Sequence, residues 1–328
     1  MVWIQFVASS ALLVVAAMKL AEYGDIIAIR TKLGGLFIGT LLMAGATSLP
    51  EFLTTINSIN QNVINLAAGN LFGSNMFNMV TLAILDLSFR QHRILRRSAL
   101  KHALSGSLAA LLAAMTIFFI LADINLQIGW VGLDSILLMG IYLGSIYLIQ
   151  MGNPFATTGE FVEGQEHIPS LRKALIGFGL ATLVLILVTP WLVSSSTVIA
   201  EITGLGTGFI GTVLVALVTS LPELITTIAA IRLGAIDLAV GNLFGSNLFN
   251  IFALGASDLF YLKGRFLDAI DPGFLIVGLL GLILTLFGLI GNIARLERRI
   301  WFLEIDALIL IIVYLGGMWL LYSRGLGI

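Results

Sequence analysis

The chain contains no cysteine, which excludes disulfides, iron–sulfur clusters and thiolate zinc sites but leaves hard cations bound through oxygen open. Charge is scarce as well. Only 11% of the 328 residues are charged while 59% are hydrophobic, more apolar content than one soluble core needs. With a mean hydropathy of +1.05, the natural solvent is a lipid bilayer. No GxxxxGK[ST] motif occurs, so no ATP site is implied. The opening stretch MVWIQFVASSALLVVAAMKL lacks the basic segment of a secretory signal and reads as a first membrane span. No cofactor and no nucleic-acid partner is expected, and the oligomeric state is left open.

What is present is a series of ten apolar segments long enough to cross a bilayer. They lie near 3–22, 35–57, 64–88, 103–122, 129–150, 174–199, 208–232, 236–260, 273–291 and 301–322. The loops after the odd-numbered spans share one side of the membrane. That side carries Arg30, Lys32, Arg90, Arg93, Arg96, Arg97, Lys101, Arg172, Lys173, Arg232, Arg295, Arg298 and Arg299. Lys263, Arg265 and Arg324 fall on the other side, and Lys19 sits near the end of the first span. By the positive-inside rule the first face is cytoplasmic, which places both termini outside a multi-pass protein of the cell membrane. The longest polar stretch, 151–173, contains Glu160, Glu163, Glu166 and His167 and reads as a cytoplasmic linker between a first half, 1–150, and a second half, 174–328. Its spaced glutamates read as a solvated charged face.

An internal repeat organises these spans. Residues 47–78 read TSLPEFLTTINSINQNVINLAAGNLFGSNMFN and residues 219–250 read TSLPELITTIAAIRLGAIDLAVGNLFGSNLFN, with 21 of 32 positions identical at a constant offset of 172. Composition bias makes leucine-rich helices look alike, but it does not reproduce TSLPE and GNLFGSN at one separation without a gap. Each half has five spans, so the second copy enters the membrane from the opposite side. The expected fold is an all-α integral membrane protein of about ten helices in two inverted five-helix repeats, an architecture of secondary transporters. Gly69, Gly73, Gly241 and Gly245 would let helices approach closely.

Glu51 and Glu223 lie well inside apolar spans, where a carboxylate costs roughly 2.5–3.5 kcal/mol on insertion scales. Pro50 and Pro222 precede them and should break each helix near TSLPE, freeing backbone carbonyls around Ala44 to Thr47 and Ala216 to Thr219. Thr47, Ser48, Thr219 and Ser220 add hydroxyls, Thr47 and Thr219 being one turn before the glutamates on the same helix face. On the following spans Ser74 and Asn78, and Ser246 and Asn250, are four apart and can face one cavity. Two carboxylates among neutral oxygens match one Ca²⁺ or two or more monovalent ions, a physical basis for exchange. Asp86 and Asp258, also 172 apart, read as interfacial or packing residues.

These segments resemble the α-repeats of the Ca²⁺/cation antiporter superfamily, and within it most closely the prokaryotic sodium/calcium exchangers. The resemblance covers the ten-span plan as well as both motifs. It implies that spans two, three, seven and eight form the ion-binding core and that spans one and six slide past it. It further implies a central divalent site at Glu51 and Glu223 with the backbone oxygens of Thr47 and Thr219. Sodium positions would involve Ala44, Ser48, Ser74, Ala216, Ser220 and Ser246, with Asn78 and Asn250 at the centre. Some relatives carry aspartate at one of these last two positions, where this chain has asparagine at both. The expected substrates are Ca²⁺ and Na⁺. Alternatives are H⁺ in place of Na⁺, another divalent cation in place of Ca²⁺, a cation channel, and an intramembrane enzyme with Asp86 and Asp258 as a carboxylate pair.

Overall fold

A computed structural model describes residues 1–31, 44–89, 99–152, 169–294, 299–300 and 303–325. Among the described residues eight helices are long and apolar enough to cross a membrane, and a shorter apolar helix covers Phe274–Ile290. Span one is Val2–Thr31, span three Ile64–Ser88, span four Ala99–Ala122 and span five Leu133–Gly152. Span six is Leu171–Thr203, span eight Ile236–Ala256, span nine Phe274–Ala294 and span ten Ile305–Ser323. The first part of span two falls outside the described residues, as do Glu160, Glu163, Glu166 and His167 of the linker. Its second part is a helical turn at 44–47 followed by the helix Leu49–Asn60. The fold is all-α and multi-pass, with two inverted five-helix repeats and broken helices at the duplicated motifs.

Spans one and six extend further than the hydropathy pattern suggests, to 30 and 33 residues. At 1.5 Å per residue that is about 45–50 Å, so both must tilt or project beyond the hydrocarbon layer. Ser170 caps the start of span six by accepting a hydrogen bond from the Lys173 N–H, and Gly204 ends it at φ 68°, a left-handed conformation that glycine adopts without cost. Asn62 (φ 58°) and Gly234 (φ 78°), 172 residues apart, turn spans two and seven into spans three and eight. The inverted repeats thus share a turn geometry even where the residue differs.

Span seven is not one regular helix. Thr207–Ile210 and Ala216–Thr219 are α-helical, the five residues Gly211–Val215 between them form a π-helical segment, and Leu221–Arg232 follows the break. Nothing in the periodicity announces this segment, because a π-turn adds one residue to the turn without changing composition. Its reason is contact with span three. A Cβ on Gly73 would lie 2.4 Å from the Thr212 carbonyl oxygen, and one on Gly69 2.6 Å from that of Gly208. Gly211 in turn sits against Leu66, whose carbonyl would be 2.6 Å from an added Cβ. Two backbones meet with no side chain between them, as the small-residue pattern anticipates.

Two apolar cores result. One joins spans three, four, five, eight, nine and ten around Leu71, Met76, Leu112, Phe244, Leu248 and Phe274. The other joins spans one and six, with Leu13, Ala17 and Leu20 against Leu185, Leu192 and Val193.

Candidate functional site

The two helix breaks fall at Ser48 and Ser220, whose ψ values of 4° and 3° depart from the helical value near −42°. The Ser48 N–H still reaches the Ala44 carbonyl at 2.9 Å and the Ser220 N–H that of Ala216 at 3.0 Å, so the first segments end with their ladders intact. Pro50 and Pro222 have no N–H to offer the carbonyls of Ala46 and Val218. Glu51 and Glu223 then stand in the first turn of a new helix, where free N–H groups and the helix dipole favour negative charge. The Thr47 and Thr219 Oγ1 atoms also lie 3.2 and 3.3 Å from the Ala44 and Ala216 carbonyl oxygens, within reach of a shared hydroxyl proton. These two carbonyls are therefore the most engaged of the candidate oxygens.

Both glutamates are buried, each 1% exposed, and each is held by the opposite repeat. Ser220 Oγ donates to Glu51 Oε1 at 3.0 Å, and Ser48 Oγ donates to Glu223 Oε1 at 2.9 Å. Ser246 Oγ approaches Glu223 Oε1 at 3.5 Å. Each carboxylate is thus reached by a serine of the other repeat.

The threonines instead lock a second layer. Thr219 Oγ1 donates to Asn70 Oδ1 at 3.0 Å and Thr47 Oγ1 to Asn242 Oδ1 at 3.4 Å. Asn70 Nδ2 donates to the Glu51 carbonyl at 2.9 Å and to Thr55 at 3.2 Å, while Asn242 Nδ2 donates to Thr226 and Thr227 at 3.2 and 3.3 Å. Sequence reasoning passed over Asn70 and Asn242. Their signal was available: a duplicated amide inside a buried apolar span needs hydrogen-bond partners.

Among the described residues, five buried oxygens of these spans have no hydrogen-bond partner: Glu51 Oε2, Glu223 Oε2, Ser74 Oγ, Asn78 Oδ1 and Asn250 Oδ1. All belong to residues singled out from sequence, and they come from four different spans. Buried polar atoms are almost always bonded, and leaving one unpaired costs about 1–3 kcal/mol, more if charged. Among the described residues neither glutamate has a basic partner. No group of three His, Asp or Glu forms among the described residues, so neutral oxygens must complete any ligand set. Two carboxylates with serine and amide oxygens are the hard donors that Ca²⁺ and Na⁺ accept.

Asp258 serves elsewhere. Its two carboxylate oxygens accept the backbone N–H groups of Gly132 at 2.6 Å and Phe266 at 2.5 Å, tying the loop after span four to the loop after span eight. These bonds give Asp258 a packing role between the two loops. Beside it, Arg265 pairs with Asp123 and, at 3.2 Å, with Asp134. Burial works against the Arg265 charge, but the hydrogen bond to Asp123 and the nearby carboxylates outweigh it and raise its pKa.

A repeat-built bundle with a buried, cross-braced carboxylate pair and unpaired hard oxygens defines a membrane cation exchanger. Residues 1–151 and 173–323 match the family described as sodium/calcium exchanger protein, and the chain belongs to that family. It is 28% identical over 250 residues to the inner membrane protein YrbG of Escherichia coli (strain K12), covering 73% of this chain and 74% of that one. Its fold resembles that of the sodium-calcium exchanger NCX_Mj, with a TM-score of 0.60 at 21% identity over 97% of this chain and 99% of the other. It also resembles that of the H⁺/Ca²⁺ exchanger CAX, with a TM-score of 0.67 at 15% identity over 99% of this chain and 89% of the other.

Proposed function

We propose that this chain is a secondary antiporter that exchanges Ca²⁺ for Na⁺ at one midplane site by alternating access. The observation that carries the reading is the convergence of five unpaired buried oxygens, two of them on Glu51 and Glu223, from both halves of the repeat. Ca²⁺ takes both carboxylates together with neutral oxygens from Ser74, Asn78 and Asn250; Na⁺ ions take overlapping subsets that include Ser48, Ser220 and Ser246. Thr47, Thr219, Ala44 and Ala216 contribute backbone oxygens when their present hydrogen bonds yield. Binding energy then selects between inward- and outward-open states, with spans one and six moving against the core of spans two, three, seven and eight. The halves 1–150 and 174–328 act as the two repeats. The linker 151–173 lies in the cytoplasm of a cell whose plasma membrane holds the protein, with both termini outside.

A second reading, proton coupling, has a specific observation behind it: two buried carboxylates without a basic partner among the described residues can each carry a proton in place of Na⁺. Serine and amide oxygens, which ligate Na⁺ but do not exchange protons, favour sodium. The test is ⁴⁵Ca²⁺ uptake into liposomes holding the purified protein, driven by an outward Na⁺ gradient in one arm and an outward H⁺ gradient in the other. Uptake with Na⁺ alone is the expected result; uptake only with H⁺ would replace the coupling ion, and uptake with neither would remove Ca²⁺ as substrate.

A further inference from the structure

Spans three and eight meet at the site through four amides, Asn75, Asn78, Asn247 and Asn250, all buried. On one side the direction of these bonds is fixed. Asn247 Nδ2 donates to the Asn75 backbone carbonyl at 3.3 Å. A carbonyl only accepts, so this bond decides which end of the Asn247 amide faces it and turns Oδ1 the other way. Asn247 Oδ1 then accepts from Asn78 Nδ2 at 3.0 Å, which leaves Asn78 Oδ1 as one of the unpaired site oxygens. On the mirrored side Asn250 Nδ2 donates to Asn75 Oδ1 at 3.0 Å and leaves Asn250 Oδ1 in the same condition.

We infer that Asn247 is a positioning residue, held by the Asn75 carbonyl, which orients the Asn78 amide so that oxygen and not NH₂ faces the transported cation. The inference rests on the exchanger reading of the site. A flipped amide would aim two donors at a cation, so the orientation both supplies a ligand and removes a repulsion. Asn247 does not need to touch the ion to do this.

The network also constrains charge. An aspartate at position 78 would set a carboxylate oxygen against Asn247 Oδ1, and Asn247 cannot turn its amide without pressing that oxygen onto the Asn75 carbonyl. An aspartate at position 250 would face only Asn75 Oδ1, and no bond from Asn75 Nδ2 to a backbone carbonyl holds that amide among the described residues. The anchored half therefore demands an amide at 78, whereas the other half accepts an amide or a carboxylate at 250.

The experiment uses the full chain in liposomes with ⁴⁵Ca²⁺ as probe, and compares N247L, N78D, N250D and the double variant N247L/N78D. N247L should raise the half-saturating Ca²⁺ concentration about tenfold, the loss of about 1.4 kcal/mol, with maximal rate held within about twofold. N78D should lose at least about tenfold more activity than N250D, and N247L should relieve part of the N78D defect, a non-additivity that simple packing would not give. Unchanged half-saturation in N247L, equal defects in N78D and N250D, or strict additivity would each overturn the inference. Where N247L fails to give a monodisperse protein, the contrast between N78D and N250D decides alone. E51Q and E223Q serve as controls: normal transport in both would bring down the exchanger reading itself, whereas dead controls beside an N247L of normal Ca²⁺ affinity would bring down only the positioning role.

Discussion

Spans three and eight bury 78% of their most apolar stretch inside the protein, while spans one and six bury 39% and 33%. Polar chemistry follows that difference. The buried pair carries Asn70, Ser74, Asn75, Asn78 and their counterparts, every one shielded from lipid by neighbouring helices. The outer pair meets along an apolar seam and turns Ile4, Val7, Val15, Leu183, Leu187 and Trp191 outward. Among the described residues that seam is mainly apolar, with Gln5 Nε2 reaching the Trp191 carbonyl at 3.4 Å near one end, whereas the amide network consists of directional bonds. One region thus concentrates directional polar bonds and the other apolar contact. The exception is informative: Asn57 Nδ2 donates to Thr189 Oγ1 at 2.8 Å and Gln61 Nε2 to the Pro190 carbonyl at 3.2 Å, tying span two to span six. The residues 172 further on are Ala229 and Leu233, whose side chains cannot form the equivalent bonds. The repeat is symmetric at the site and asymmetric at these two positions.

The comparison can be broken most forcefully at the core. E51Q and E223Q should each reduce Ca²⁺ uptake by about a hundredfold or more while leaving a monodisperse protein, read by ⁴⁵Ca²⁺ flux alongside size-exclusion chromatography. Away from the site, R265M would leave the fully buried Asp134 without its cation, which costs about 3–5 kcal/mol of stability. A marked fall in the thermal unfolding midpoint, with unchanged Ca²⁺ half-saturation in the folded fraction, is expected; an unchanged midpoint would mean the ion pair is dispensable. S220A removes a hydroxyl donor to Glu51, a charge-assisted bond worth about 1.5–3 kcal/mol. It should raise half-saturating Ca²⁺ about tenfold, and S48A should match it through Glu223. The smallest effect belongs to the seam: N57A deletes a bond worth about 1 kcal/mol and should alter the maximal exchange rate by up to about fivefold. A Asn57→Ala protein with wild-type rates would show that this tie has no part in the transition.

The large features of the molecule were legible in its residues because each has a period or a duplication behind it. Span positions follow from runs of apolar residues, the inverted halves from the offset of 172, and the breaks from Pro50 and Pro222. Glu51 and Glu223 stood out because a carboxylate in an apolar span needs a reason. The π-helical segment at 211–215 was not legible, since it arises from close backbone contact with Gly69 and Gly73, a property of two helices together. The exchange of partners at the glutamates was hidden for a related cause. Reading one helix at a time favours Thr47 and Thr219, but the actual donors, Ser220 and Ser48, arrive from the other repeat across the site. Asn75 and Asn247 lay in plain view within GNLFGSN, yet only their hydrogen-bond directions give them a role.

The central claim is that Ca²⁺ and Na⁺ compete for one set of oxygens built by both repeats. Equilibrium Ca²⁺ binding to the purified protein, titrated at increasing Na⁺ and constant ionic strength, tests it most directly. The account predicts that Na⁺ weakens Ca²⁺ binding with an apparent order above one, and that E51Q and E223Q each lose the Na⁺-sensitive binding. Ca²⁺ binding indifferent to Na⁺, or undiminished in both variants, would contradict it.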